Sequence, residues 1–170
     1  AKTMGIGQSM SFYGMTITEP GRYEKRWSLD ASCDSLVVMD VRVNSAIFYV
    51  TTTGAGLKDG SSWDNAADNI NTAVMNAYNS TGFDNKQVWV AAGTYAGSNS
   101  GVTFPMVAGV EVYGGFTGTE TLFAQRDVEN NKTILTGNSS YGVLGASIQY
   151  PATAELPSKW DGFYINSGQK

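Results

Sequence analysis

The sequence predicts an all-β protein: the first coils of a parallel β-solenoid with one capping α-helix, preceded by a small β module. Three observations carry that prediction. First, Val88-Trp89-Val90-Ala91-Ala92-Gly93-Thr94-Tyr95, Val110-Glu111-Val112-Tyr113-Gly114-Gly115-Phe116 and Thr133-Ile134-Leu135-Thr136-Gly137 are short apolar or alternating runs that meet Gly, as strands stopped by turns do. Second, their starts step from Val88 to Val110 to Ile134, gaps of 22 and 24 residues. Hairpin loops run to about five residues, whereas parallel strands need crossovers of roughly a dozen or more. Third, the connector 96–105, with Gly97, Ser98, Asn99, Ser100 and Gly101, is no helix. Parallel strands joined by non-helical arcs are the coils of a solenoid.

The totals agree. A chain of 170 residues with 20 Gly, 12% aromatics and 15% charged residues suits turn-rich β structure better than a helical bundle. A net charge of −4 argues against a nucleic-acid partner, since phosphate binding needs a basic patch. Only Arg22, Lys25 and Arg26 cluster, and they read as a solvated face. No apolar run has the length of a transmembrane segment, and no signal peptide is visible. The single cysteine, Cys33, excludes an intrachain disulfide.

Residues 1–45 form the small β module. Ser9 to Gly14 runs into Met15-Thr16-Ile17-Thr18, and Glu19-Pro20-Gly21 turns the chain. Arg22 to Leu29 alternates, with Tyr23, Lys25 and Trp27 on one side. After a polar loop at 30–34, Val37, Met39, Val41 and Val43 share one face of a strand. So few strands hold little core of their own.

Residues 46–170 form the second domain, the N-terminal cap and first coils. Ala46-Ile47-Phe48-Tyr49-Val50 is a strand and 51–60 a loop. A helix is expected from Ser61, its N-cap, with Asp64 three residues on. Trp63, Ala66, Ala67, Ile70, Ala73, Val74, Ala77 and Tyr78 make an apolar stripe at helical period, stopped by Gly82. After Gly137, residues 141–156 read as an irregular excursion. Trp160-Asp161-Gly162-Phe163-Tyr164-Ile165 is a last strand, with Phe163 and Ile165 on one side. No terminating element follows it, so the chain is expected either to be a piece of something longer or to self-associate through this last coil.

Several of these runs together resemble a known group. Phe48-Tyr49-Val50, Lys58-Asp59-Gly60-Ser61-Ser62-Trp63-Asp64-Asn65-Ala66, Val88 to Tyr95, Val112-Tyr113-Gly114-Gly115-Phe116-Thr117-Gly118-Thr119-Glu120, Gln125-Arg126-Asp127 and Thr133 to Gly137 are similar to the opening of bacterial right-handed parallel β-helix surface proteins, of the polymorphic outer-membrane-protein and adhesin-like kind. Trp160 to Ile165 resembles their first full coil, although Leu is commoner there than Trp. Gly21-Arg22-Tyr23 with Ser32-Cys33-Asp34-Ser35-Leu36-Val37-Val38 resembles a short β repeat of secreted and surface proteins in Bacteroidetes, which usually has Gly in place of Ser32. The resemblance implies an extracellular or cell-surface location, a structural or adhesive role, and glycans or surface proteins as partners. In that setting Asp34-Ser35-Leu36 is similar to a bacterial O-glycosylation acceptor.

The residues themselves name no catalytic set. The absence of His removes His-based acid–base chemistry and the commonest metal ligand. Cys33 has no second Cys or His to work with and reads as a small buried hydrophobe. Asn79-Ser80-Thr81, Asn131-Lys132-Thr133 and Asn138-Ser139-Ser140 match N-glycosylation sequons and are inert in a bacterial setting. The carboxylates to weigh are Asp59, Asp64, Asp68, Glu111, Glu120, Asp127, Glu129 and Asp161. A glycosidase needs two of them facing at about 5–10 Å, and Glu111 with Asp161 is the pair that neighbouring strands would bring together. Arg126-Asp127 reads as an ion pair or turn contact, and Asp59-Gly60 as a turn rather than a Ca²⁺ site. Tyr113, Tyr141, Tyr150, Trp160 and Tyr164 are candidates to stack on sugars, against the simpler reading that they cover apolar surface. No cofactor or metal is called for. The expectation is a secreted or surface structural module without catalysis of its own; the alternative is the front of a β-helix polysaccharide lyase or glycoside hydrolase.

Overall fold

The computed structural model describes residues 2–4, 9–18, 21–30, 33–43, 45–83, 85–97, 104–137, 143–147, 149–154 and 156–166. Among the described residues the chain is mostly β, with one α-helix and several small parallel sheets. It divides into two compact units, Ala1–Ser45 with Phe83–Asn85, and Ala46–Gly82 with Lys86–Lys170.

In the first unit, β4 (Gly21–Asp30) pairs antiparallel with β5 (Cys33–Val43), and β1 (Lys2–Met4) adds to β5 in parallel. A separate hairpin joins β2 (Met10–Phe12) to β3 (Met15–Ile17). Its two-residue turn puts Tyr13 and Gly14 at φ 47° and 81°, the doubly left-handed geometry that matches strand twist in tight hairpins. Val41 is buried with Phe12 and Ile17, and Tyr23, Val37 and Met39 pack around them. That face follows the alternation of the sequence, while Leu36 and Val38 on the other face stay exposed. The turn expected at Glu19-Pro20, residues 31 and 32 of the polar loop and the side chain of Cys33 lie outside the described residues.

The second unit begins with β6 (Ser45–Val50), which lies beside β7 (Asn85–Ala91) in one sheet. In that sheet β10 (Val110–Phe116) pairs in parallel with β7, and β13 (Lys159–Asp161) with β10. A second sheet stacks β8 (Gly93–Ala96), β11 (Thr133–Thr136) and β14 (Phe163–Asn166) in parallel. A third pairs β9 (Phe104–Met106) with β12 (Leu144–Ala146), again in parallel. The chain therefore visits the three sheets in the same order, β7, β8, β9, then β10, β11, β12, then β13 and β14.

This order corrects the sequence-derived spacing. Val88 is in register with Val112 and Val112 with Trp160, steps of 24 and 48 residues, whereas Thr133–Thr136 sits in the sheet next door on β8. The 22-residue step from Val88 to Val110 joins parallel neighbours of one sheet, whereas the 24-residue step to Ile134 passes into the next sheet. The excursion at 141–156 also contains a strand, β12, too short and Gly-interrupted to show a period. Within the last predicted strand the chain bends at Gly162 (φ 80°), which divides it into β13 and β14.

Inward-facing side chains stack in register. Val88 lies beside Val112 and Val112 beside Trp160, Tyr95 beside Leu135, and Phe104 beside Leu144. They form one apolar core with Val90, Val107 and Val110. The helix α1 (Ile70–Asn79) contributes Ile70, Ala73, Val74 and Ala77 to the same core.

The helix starts seven residues later than its apolar stripe. Asn69, not Ser61, is its N-cap, and accepts a hydrogen bond from Thr72 N at 3.1 Å. Upstream, Trp63–Asn65 is a separate 3₁₀ turn capped by Ser62. Between them Ala67 bridges Val50 in parallel and donates to Tyr49 O, which holds 66–67 extended. Backbone pairing with β6 overrides the helical pattern of Trp63, Ala66 and Ala67, because both backbone hydrogen bonding and burial of the two Ala are satisfied there. Trp63 consequently belongs to another cluster, described below.

Full burial of Ile70 (2% exposed) among valines contributes about 2–3 kcal/mol. Ile70→Asp would place an unpaired charge there, and its expected cost is about 4 kcal/mol or more. Urea unfolding of the variant beside the parent measures it, and equal midpoints would show that α1 is peripheral.

Candidate functional site

The outward face of the β7–β10–β13 sheet gathers most of the chemically capable side chains. Alternation dictates it: with Val88, Val112 and Trp160 turned inward, Gln87, Glu111 and Lys159 form one outward row, and Trp89, Tyr113 and Asp161 the next. Trp89 Nε1 donates to Gln87 Oε1 (3.0 Å), Gln87 Nε2 to Glu111 Oε2 (3.0 Å), and Tyr113 Oη to the same Glu111 oxygen (3.0 Å). Burial, reinforced by the nearby Glu111 carboxylate, pushes the Tyr113 phenol far above its ordinary value, so it stays a proton donor in this chain.

Arg126 closes the other side. Its Nε donates to Gly114 O, its Nη1 to Asp161 Oδ2 (3.3 Å), and its Nη2 lies 3.3 Å from Asp161 Oδ1. The guanidinium lies 5.4 Å from the Tyr113 ring centroid and 5.6 Å from that of Phe123, and Lys159 Nζ lies 5.1 Å from Tyr113. The hydrogen bond from Arg126, helped by its charge and that of Lys159 and opposed by burial, holds the Asp161 carboxyl below the usual range. Arg126 therefore pairs with Asp161 across the strands, not with its neighbour Asp127. Asp127 instead accepts from Glu129 N, Asn130 N and Asn130 Nδ2 and closes a turn.

A second apolar cluster covers this face. Trp89, Tyr113 and Phe116 are buried, with Ile47, Tyr49, Trp63 and Phe123 packed on them; Trp89 and Phe116 stack at 4.7 Å. Trp63 Nε1 donates to Glu120 O at 2.8 Å. Glu120, 7% exposed, accepts from Thr117 N (2.6 Å), Gly118 N (3.0 Å), Thr119 N (3.0 Å) and Thr117 Oγ1 (2.9 Å). Burial alone would raise its carboxyl, but the hydrogen bonds from Thr117 and Thr119 outweigh it and lower the net value.

The remaining candidate carboxylates are solvent-facing. Asp59 caps Ser61 N at 2.8 Å, Asp68 pairs with Lys58 at 2.9 Å, and Asp64 and Glu129 are exposed. Among the described residues no three of His, Cys, Asp or Glu converge as metal ligands.

The aromatic candidates divide. Tyr113 is buried under Arg126 and Lys159. Trp160 is turned inward between Phe104 and Phe163, which removes it from the exposed set; inward stacking over Val112 decides its side. Tyr150 packs on Tyr78 at 4.6 Å. Tyr164 stays half-buried, with Lys132 Nζ 5.4 Å from its ring centroid. Tyr141 lies outside the described residues. Sequence reasoning missed Gln87 and Thr133, both fully buried; the signal for Gln87 was its place in the alternation against Val88.

No protein-family model, curated protein or solved structure among those compared matches the chain. Among the described residues no helix is long and apolar enough to cross a membrane.

Glu120 offers a measurable consequence. Its folded carboxyl titrates below the ordinary value of 4.5, so its stabilising effect is complete above about that pH and is lost as pH falls through the lower folded value. Glu120→Gln, which keeps the shape, loses the charge and turns an amide N–H toward donors, should cost about 2–4 kcal/mol at neutral pH. The difference from the parent should shrink as pH is lowered below about 4.5 in denaturant titrations; a pH-independent difference would assign the loss to packing.

Proposed function

We propose that the second unit is the start of a right-handed parallel β-helix and that the chain serves as a structural and adhesive module of a bacterial surface protein, with glycans or surface proteins as partners and no catalysis of its own. The observation that carries this reading is the repeated order of the three sheets, with parallel pairing in each and side chains stacked in register along the interior. Parallel passes of this kind build a rigid rod with a regular outer surface, a scaffold suited to presentation. The resemblance in the runs quoted above supports the surface setting and the Bacteroidetes-type repeat in residues 1–45.

The disposition of the acids supports the reading without catalysis. Glu111 accepts from Tyr113 and Gln87, Asp161 is bound by Arg126, and Glu120 is enclosed by backbone N–H groups. A general acid or base needs a proton to exchange with substrate at hydrogen-bond reach, and these groups are spent on holding loops to the sheet. The expected result is no turnover of pectin, alginate, chondroitin or neutral polysaccharides, with retention on a glycan or surface-protein array. Turnover that disappears in Glu111→Gln or Asp161→Asn would overturn the reading in favour of a β-helix lyase or hydrolase.

The last pass carries the self-association component of the proposal. Ile165 is in register with Leu135, which is fully buried, yet Ile165 is 57% exposed, and β14 is an edge strand of its sheet. An edge with an apolar residue in a core register favours pairing with a second copy. Light scattering of the chain should show concentration-dependent association that Phe163→Lys and Ile165→Lys reduce; a monomer at high concentration would exclude it.

A further inference from the structure

The edge opposite β14 in the same sheet is β8, and a cleft of about 160 Å³ opens on it. Its lining includes Thr52, Asn69, Asn71 and Thr94 around Tyr95 and Phe104. Gly93 N donates to Lys132 O and Gly97 N to Thr136 O, so the odd residues of β8 turn their peptide groups to β11. By the alternation of a parallel ladder, the peptide groups of Thr94 and Ala96 turn the other way, where no further strand joins the sheet among the described residues. They supply hydrogen-bond donors and acceptors on the cleft side. Asn69 uses its carboxamide oxygen to cap α1, which leaves its amide nitrogen as a donor.

Three features of the cleft select a ligand class. Its walls are amides and hydroxyls, and its apolar residues are buried: Ile70, Tyr95 and Phe104 are all 5% exposed or less, so little apolar surface is offered to a lipid. Among the described residues no cationic residue lines it, and the acid that does, Asp68, is paired with Lys58, so the lining offers an anion no unpaired countercharge. At the Gly93 end the Thr52 methyl occupies the place a Cβ would take. An added strand could not run the length of β8, and only the Thr94–Ala96 stretch is open to a compact ligand.

We propose that this cleft binds a single neutral sugar ring, held by the free peptide groups of Thr94 and Ala96 and by the Asn69, Asn71 and Thr52 side chains. The assignment rests on the glycan-binding reading above and gives that reading a place. Alternating donors and acceptors on a strand edge match the vicinal hydroxyls of a pyranose, each of which both donates and accepts. The site is small and wet, so the affinity for a monosaccharide belongs in the millimolar range.

The test is amide chemical-shift mapping on the ¹⁵N-labelled 170-residue chain, titrated separately with glucose, galactose, N-acetylglucosamine, glucuronate and a Thr-Val repeat octapeptide. Saturable shifts at Thr94, Ala96, Asn69 and Asn71 with at least one neutral sugar, weaker with glucuronate, are expected. Thr94→Arg and Thr52→Phe alter exposed side chains of the lining and should each weaken binding at least about tenfold, with the melting temperature of each variant recorded beside it. Shifts from the octapeptide alone would replace the sugar with strand addition, and equal binding of glucuronate would overturn the neutral class. Sugar-induced shifts confined to another region, such as Tyr164, would overturn this cleft and leave the glycan reading standing. No shift with any sugar at saturating concentration also overturns the cleft, while the array in the preceding subsection decides the glycan reading separately.

Discussion

The hydroxyl of Thr133 ties the two longer parallel sheets of the second unit together. Thr133 is fully buried at the start of β11, and its Oγ1 accepts from Gly115 N at 2.9 Å on β10 while lying 3.3 Å from Ala91 O at the end of β7. A hydroxyl can accept one bond and donate another, so a single atom satisfies backbone groups at the bends of two consecutive passes. The close approach has a requirement. A Cβ on Gly114 would lie 2.6 Å from Gly162 O and 2.8 Å from Thr133 Cβ, so this seam admits only a residue without a side chain. Arg126 then reaches into it, donating to Gly114 O and holding Asp161 beside Gly162. The corner between the sheets is thus fixed by one hydroxyl, two glycines and one guanidinium, and strand register follows from it.

The consequence for function lies on the outer face. The first sheet has apolar clusters on both sides, the interior stack and the Trp89–Tyr113–Phe116 group. A sheet covered on both faces cannot use its central strands as a binding platform unless the cover moves, and here the cover is pinned by Trp63 to Glu120 O and by Glu120 to three backbone N–H groups. Charge-assisted bonds of this kind contribute about 1.5–3 kcal/mol each when buried. The most chemically varied region of the molecule is therefore occupied in holding a loop down.

How far the sequence could be read follows from which interactions are local. Alternation sets Val112 and Tyr113 on opposite sides of one strand, because strand period is a property of the chain itself, while the register shows which side is inward. Helical period misled at Trp63 to Ala67, since three apolar residues spaced for a helix also fit a turn and a bridge, and the choice is made by Val50, thirteen or more residues away. The 24-residue step misled in another way, whereas the 22-residue step from Val88 to Val110 does join parallel neighbours of one sheet. Successive strands in the sequence belong to different sheets, and only the register of Thr133 with Gly93 reveals it. Trp160 was assigned to the surface on its chemistry, yet its parity with Val112 and Val88 was present in the sequence once the register is known. Of the candidate acids, the Glu111 and Asp161 neighbourhood was legible from adjacent strands, but Arg126 as the partner of Asp161 was not, being 35 residues distant.

Parallel stacking leaves recognition to the ends of a sheet. In the second sheet the interior strand β11 gives its peptide groups to two neighbours, and among the described residues β8 and β14 are the edge strands. The two edges differ in what surrounds them. Beside β14 stands Ile165, an apolar residue in a core register, which favours another strand. Beside β8 stand Thr52, Asp68, Asn69 and Asn71, and the Thr52 methyl obstructs the Gly93 end, which disfavours a strand and favours small polar ligands. One sheet thus presents two edges with the same backbone chemistry and opposite side-chain chemistry. The loop from Thr52 and the cap residue of α1 make the difference, so the elements that close the apolar core at this edge also determine what the edge can bind.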